Sequence, residues 1–166
     1  MHGPTRARDV PDLVAYADSD WAGDIDDRRS TSRYMTMIGK SLISWSSKKV
    51  KSVATSTAAA EFISAYHATC EIVWERGMLA EMFAEQIRPT ILFEDNQACI
   101  AMVENPIVSE RSKHIAIKYF YVREQFENGT ITMIYCPTAD MAADIMTKAV
   151  AVTHFRHLRD DVIGPK

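Results

Sequence analysis

The sequence predicts an α/β domain built on a mixed sheet. Three observations carry this expectation: three short strand-like segments lie before residue 47, a long alanine- and glutamate-rich helical stretch follows, and two further strand-like segments are each followed by helical sequence. The first strands succeed one another closely enough to pair antiparallel, whereas the later ones arrive after helices and must join in parallel. The 166 residues suit one domain with one core, read as a polar lead-in over 1–12 and a single domain over 13–166.

Each element has its own signal. Leu13-Val-Ala-Tyr-Ala-Asp18 is a short apolar strand ending in an acid. Residues 33–38 and 42–46 read as two strands joined by a hairpin turn at Gly39-Lys40. From about 57 to 85 the composition turns helical, and Phe62, Tyr66, Thr69 and Val73 recur at 4-3-4 spacing, with Gly77 as a place where the helix would break. After Pro89, the segment 90–95 holds three consecutive apolar residues, expected of a strand covered on both faces near the middle of a sheet. A helix over 96–104 is stopped by Asn105-Pro106. Ile115, Tyr119, Val122 and Phe126 form another 4-3-4 stripe, ended by Asn128-Gly129. The last strand covers 130–136 and stops at Pro137. Helices over 140–150 and 153–162 close the chain.

Composition narrows the function classes. A hydrophobic fraction of 47% with 25% charged residues is that of a soluble globular protein, and no apolar run is long enough to span a membrane. The polar start lacks the apolar core of a signal peptide, so an intracellular protein, cytoplasmic or nuclear and not secreted, is expected. Cys70, Cys99 and Cys136 are odd in number and widely spaced, which fits free thiols better than disulfides or zinc. The net charge of −3 hides a strong segregation. Residues 9–27 hold seven aspartates and no lysine or arginine, while residues 28–51 hold seven basic residues and no acid. Such a layout can hold cations at one place and phosphates beside it.

Four acids stand where this fold would gather side chains. Asp18 ends the first strand, Glu61 lies in the first turn of the long helix, Asp95 ends the strand after Pro89, and Asp144 follows the last strand. Sites in parallel sheets form at the carboxyl ends of adjacent strands. Close carboxylates repel unless cations neutralise them, and hard oxygen ligands suit magnesium or manganese. Taken singly, an aspartate at a strand end is usually a turn residue and a glutamate in a first helical turn usually serves the macrodipole, so spacing alone leaves the choice open.

The motifs carry a resemblance. Tyr16-Ala-Asp-Ser-Asp-Trp-Ala-Gly-Asp24 and Asp27-Arg-Arg-Ser-Thr-Ser32 resemble the opening of the ribonuclease H domain of copia-type retrotransposon Pol polyproteins. Ile43-Ser-Trp-Ser-Ser-Lys-Lys49, Ala60-Glu-Phe62, Glu94-Asp-Asn-Gln97, Ser112-Lys-His-Ile115 and Ala143-Asp-Ile-Met-Thr-Lys148 resemble its later blocks, in the same order and spacing, over residues 13–160. The resemblance implies a ribonuclease H-like fold, a five-stranded mixed sheet flanked by helices. It also implies cleavage of the RNA strand of RNA–DNA hybrids with two Mg²⁺ ions, for which Mn²⁺ can substitute. By the same resemblance Asp18, Glu61, Asp95 and Asp144 are the metal-binding catalytic acids; Asp20, which shares a strand face with Asp18 if that strand continues, is the next candidate ligand. Lys48, Lys49 and Lys51 are the first candidates for phosphate contacts, followed by Lys113 and His114. Asn96 and Gln97 either contact the hybrid or simply start the helix. A reverse transcriptase domain of the same polyprotein is the implied partner, with no membrane involved. The alternative is a host-captured or degenerate copy acting as a nucleic-acid-binding or protein-interaction module.

The sequence departs from the family pattern at several places. Ala59 replaces the glutamate of a capping box, leaving Ser56 to cap alone at a cost of about 0.5–1 kcal/mol. Glu94 stands where cysteine is frequent, which should add a negative charge near the site, and Arg33 stands where glycine is usual. The connection Pro137-Thr-Ala-Asp140 has no histidine of the kind that cellular ribonucleases H often place there.

Overall fold

The computed structural model describes residues 10–20, 30–50, 56–105, 116–146 and 151–163. Five strands form one mixed sheet: β1 (Leu13–Asp20), β2 (Thr31–Ile38), β3 (Ser41–Lys49), β4 (Thr90–Glu94) and β5 (Ile131–Tyr135), in the order β3-β2-β1-β4-β5. β2 is antiparallel to both β1 and β3, while β1, β4 and β5 run parallel. The turn between β2 and β3 is closed by Gly39 at φ +59°, the left-handed conformation that glycine adopts without cost. The carboxyl ends of β1, β3, β4 and β5 therefore lie along one edge of the sheet.

Alternation along β1 sends residues to two different cores. Leu13, Ala15 and Ala17 join Phe62, Ala65, Ala68 and Ile72 of helix α1 (Thr57–Glu81). The small side chains on both sides let helix and sheet approach closely. Tyr16, on the opposite face, packs with Met35, Ala142, Ile145 and Met146. Helices α2 (Gln97–Glu104) and α3 (Ala116–Glu127) complete the first layer, and α3 contributes Tyr119 and Val122 to the main core as its 4-3-4 stripe requires. Gly129 at φ +71° ends α3 where Asn128-Gly129 was expected to stop it. Helix α4 (Val152–Ile163) lies against the segment after β5.

Four expectations need correction. α1 runs through Gly77 without a break, because one glycine costs a helix only about 1 kcal/mol and Leu79 beyond it is buried in the core. It ends at Glu81, where Phe83 takes the left-handed position at φ +59°. The stripe facing the sheet is Glu61, Ala65, Ala68, Ile72, Glu75 and Leu79, all buried; Tyr66 and Val73 of the expected stripe are only half-buried. β4 is the fourth strand of the sheet, and its burial alternates rather than covering both faces, so β1 holds the centre. The helix expected over 140–150 is two short 3₁₀ turns, Thr138–Asp140 and Ala142–Met146, with 147–150 outside the described residues. Trp45 is 64% exposed on the edge strand β3. The three cysteines are free, as expected.

Candidate active site

The carboxyl edge of the sheet gathers the acids. Asp18 is carried by β1 near its carboxyl end and Asp95 follows directly on β4, while Glu61 comes from α1 just past its first turn, one step further in than the sequence suggests, because the helix starts at Thr57 after the Ser56 cap. Ser56 caps that helix, accepting the Ala59 N–H at 3.2 Å, and so fixes the direction in which Glu61 enters. One oxygen from each of Asp18, Glu61 and Asp95 lies within 4.8 Å of the others. Asp18 and Glu61 are buried and Asp95 is half-buried. Asp144 is also buried, in the 3₁₀ turn that packs on β1 and β2, but it stands outside this group of three.

Packing acids together raises the cost of ionising them. Burial, then the charges of Asp18 and Asp95, push the Glu61 carboxyl up to about 8, with contact to Ser19 partly offsetting them. Glu61 Oε2 is buried without a hydrogen-bond partner among the described residues. Glu94 is fully buried beside the site, and desolvation followed by the Glu61 charge pushes it well above the usual carboxylate range, although it accepts the Asn96 N–H at 3.1 Å. Burial thus works against the extra negative charge that the sequence suggests at Glu94. Asp95 is oriented from β5's side, where Thr138 Oγ1 donates to its Oδ2 at 2.8 Å.

A hard divalent cation fits this donor set. The three carboxylates supply oxygens close enough to share an ion, and Glu61 brings a buried oxygen that has no hydrogen-bond donor among the described residues. A cation there would relieve the repulsion that holds the Glu61 proton.

The basic residues approach the same edge from β3. Lys48 and Lys49 are exposed at its end, opposite Ser32 and Thr31 of β2. Lys48 lines a cavity of about 240 Å³ with Ser32, Tyr34, Ser46 and His67. His67 Nδ1 lies 3.0 Å from Ser32 Oγ, and burial followed by the charges of Lys118 and Lys48 lowers its pKa. Asn96 caps α2, its Oδ1 accepting the N–H groups of Ala98 and Cys99, so any contact with a nucleic acid would fall to its amide nitrogen. Gln97 is exposed in the first turn of α2. Lys51, Lys113 and His114 lie outside the described residues.

Sequence reasoning missed two partners. Thr138 on Asp95 is one, and its only signal was its place directly after Pro137. The other is Arg33, which stands opposite Asp18 in the β1–β2 register, is 1% exposed, and donates from Nη1 to Asp18 Oδ2 at 2.6 Å. The signal for it was an arginine in place of the usual glycine.

The chain resembles known proteins in sequence and in fold. It is 37% identical over 150 residues to the retrovirus-related Pol polyprotein from transposon RE1 of Arabidopsis thaliana, covering 90% of this chain and 10% of that polyprotein. It is 34% identical over 154 residues to the corresponding polyprotein of transposon TNT 1-94 of Nicotiana tabacum, covering 93% of this chain and 11% of that one. The chain thus spans about a tenth of the length of these relatives. Among solved structures, LC11-RNase H1, isolated from compost, superposes with a TM-score of 0.59 at 12% identity, over 80% of this chain and 90% of that one. The same enzyme in complex with an RNA/DNA hybrid gives a TM-score of 0.56 at 11% identity, over 80% and 91%. The prototype foamy virus protease-reverse transcriptase gives 0.50 at 12% identity, over 98% of this chain and 21% of that one. At these identities the likeness establishes the ribonuclease H fold. No protein-family model matches the chain.

Proposed function

We propose, from the premise that this chain belongs to the copia-type transposon Pol polyproteins as their segment of ribonuclease H fold, that it hydrolyses the RNA strand of RNA–DNA hybrids. The observation that carries the reading is the convergence of Asp18, Glu61 and Asp95, with their oxygens within 4.8 Å of one another and Glu61 Oε2 buried without a partner. Asp144 is the fourth acid of the proposed set, buried next to β1 and β2.

Each residue has a task in this reading. Asp18, Glu61, Asp95 and Asp144 would hold two Mg²⁺ or Mn²⁺ ions. When bound, the ions supply activation of an attacking water and stabilisation of the leaving 3′ oxygen. Asp95 sits on a backbone fixed by β4 and is held by Thr138, so its carboxylate is oriented before substrate arrives. Glu61 enters from a capped helix end and needs to lose its proton, which a nearby cation favours. Lys48 and Lys49, with Lys51, Lys113 and His114 further along the chain, would grip backbone phosphates, which dominate affinity for nucleic acid. Gln97 and the Asn96 amide would read the RNA strand, where the 2′-hydroxyl separates RNA from DNA. A reverse transcriptase of the same polyprotein is the proposed source of the hybrid, a pairing supported by the likeness to a protease-reverse transcriptase chain.

Asp95→Asn tests the proposal. It keeps size and shape but removes the charge that a hard cation needs. Hybrid cleavage in magnesium should fall by orders of magnitude, while hybrid binding without metal holds or strengthens slightly because one repelling charge is gone. Full cleavage by the variant would overturn the mechanism. Equal loss of folding, binding and cleavage would make Asp95 structural.

A further inference from the structure

A buried arginine stands among the acids of this site. Arg33 is 1% exposed, its Nη1 lies 2.6 Å from Asp18 Oδ2, and its Nη2 lies 3.5 Å from Asp20 Oδ2. The β1–β2 register places Arg33 directly opposite Asp18, on the same face of the sheet. Its Nε has no hydrogen-bond partner among the described residues. A guanidinium keeps its charge at every physiological pH, so this is a fixed positive charge inside the cluster.

Compensation across the cluster is therefore unequal. Asp18 is buried but already faces a cation, whereas Glu61 faces Asp18 and Asp95 and has a buried oxygen with no donor among the described residues. A divalent ion on Asp18 Oδ2 would lie beside the guanidinium, where two cations repel strongly in a poorly screened interior. A divalent ion held mainly by Glu61 and Asp95 would stand farther from the guanidinium and meet less of that repulsion.

We propose that Arg33 occupies one of the two cation positions of the free protein, leaving one strong divalent-ion position on the Glu61 and Asp95 side. The second ion binds only where the guanidinium gives up Asp18, so Arg33 sets how much metal the site needs. This rests on the metal reading above and adds a residue that controls it.

Counting Mn²⁺ per chain by electron paramagnetic resonance of the free ion tests the proposal on the unaltered protein. One strong site is expected, with any second site weaker by more than about tenfold, or 1.4 kcal/mol. Arg33→Gln should bind two ions, and its melting temperature should rise more with Mn²⁺ than that of the parent, because the guanidinium charge no longer competes with the ion at Asp18. Arg33→Lys, which keeps the charge, should stay at one strong site, and it serves if the glutamine variant does not fold without metal. Two sites of similar strength in the parent, or one strong site in Arg33→Gln, would overturn the proposal and leave the metal reading intact. No Mn²⁺ bound by the parent or either variant would overturn the metal reading and this proposal with it.

Discussion

Two buried glutamates on one face of α1 meet different company. Glu61 and Glu75 belong to the same sheet-facing stripe, 14 positions or roughly 21 Å apart along the helix axis. Each has an Oε2 buried without a partner. Glu75 accepts a hydrogen bond from Thr36 Oγ1 at 2.6 Å, and burial, with a contribution from Glu71, pushes it up to about 7. Glu71 in turn accepts from Tyr34 and Ser44, so this end of the helix is a hydroxyl-lined seam between α1 and the β2–β3 hairpin. Glu61 instead faces two further carboxylates at the carboxyl edge of the sheet. Burial and a raised pKa are common to both, so neither marks a site. What separates them is the balance of neighbours: Glu75 has a hydroxyl on one oxygen and a single acid, Glu71, nearby, whereas Glu61 faces two carboxylates whose oxygens lie close enough to share a cation.

The largest expected effect breaks this pair apart by activity. Glu61→Gln should lower hybrid cleavage by orders of magnitude, whereas Glu75→Gln should cleave at close to the parent rate, read as initial rates on a labelled hybrid. Equal losses in both would remove the distinction. Metal-induced stability sharpens it. Magnesium at a hundredfold excess over its dissociation constant should stabilise the parent by about 2.7 kcal/mol, Glu75→Gln by the same amount, and Glu61→Gln by much less, measured by thermal or denaturant unfolding.

A third prediction concerns pH in the absence of metal. A carboxyl whose pKa is raised in the folded state binds more protons there than in the unfolded chain, so stability falls as pH rises between the two values. For Glu75 that window runs from 4.5 to about 7, and for Glu61 from 4.5 to about 8. Chelator-treated protein should therefore lose stability from pH 5 to pH 8, and Glu75→Gln should flatten mainly the lower part of the decline. A decline unchanged in both glutamine variants would contradict the assignment. The smallest effect lies on the basic side. Neutralising Lys48, Lys49 and Lys51 should lower the salt dependence of hybrid binding by a slope of about 0.9 or less per lost phosphate contact, without touching metal binding.

Much of this architecture is legible because local chemistry fixes it. Gly39 and Gly129 take the left-handed turns their positions require, Ser56 caps α1, and Tyr119 and Val122 fall inward at helical spacing. The sheet face of α1 was read one position off because apolar periodicity passes over Glu61 and Glu75, the two polar residues the helix turns inward. The Arg33–Asp18 pair was not legible either. Arg33 and Asp18 lie 15 positions apart in the chain, and which residues stand opposite is set by the pairing of β1 with β2, which the sequence pattern does not give. The candidate acids were found by motif resemblance, while their unequal compensation, Arg33 on Asp18 and none on Glu61 Oε2, appears only once the strands are paired.

The most direct test is a time course of a labelled RNA strand offered to this chain in millimolar magnesium, once paired with DNA and once paired with RNA. The account expects cleavage of the RNA in the hybrid, abolished by chelator, and little or none in the RNA duplex. An intact hybrid in magnesium and in manganese, from protein that is folded and binds the metal, would contradict it.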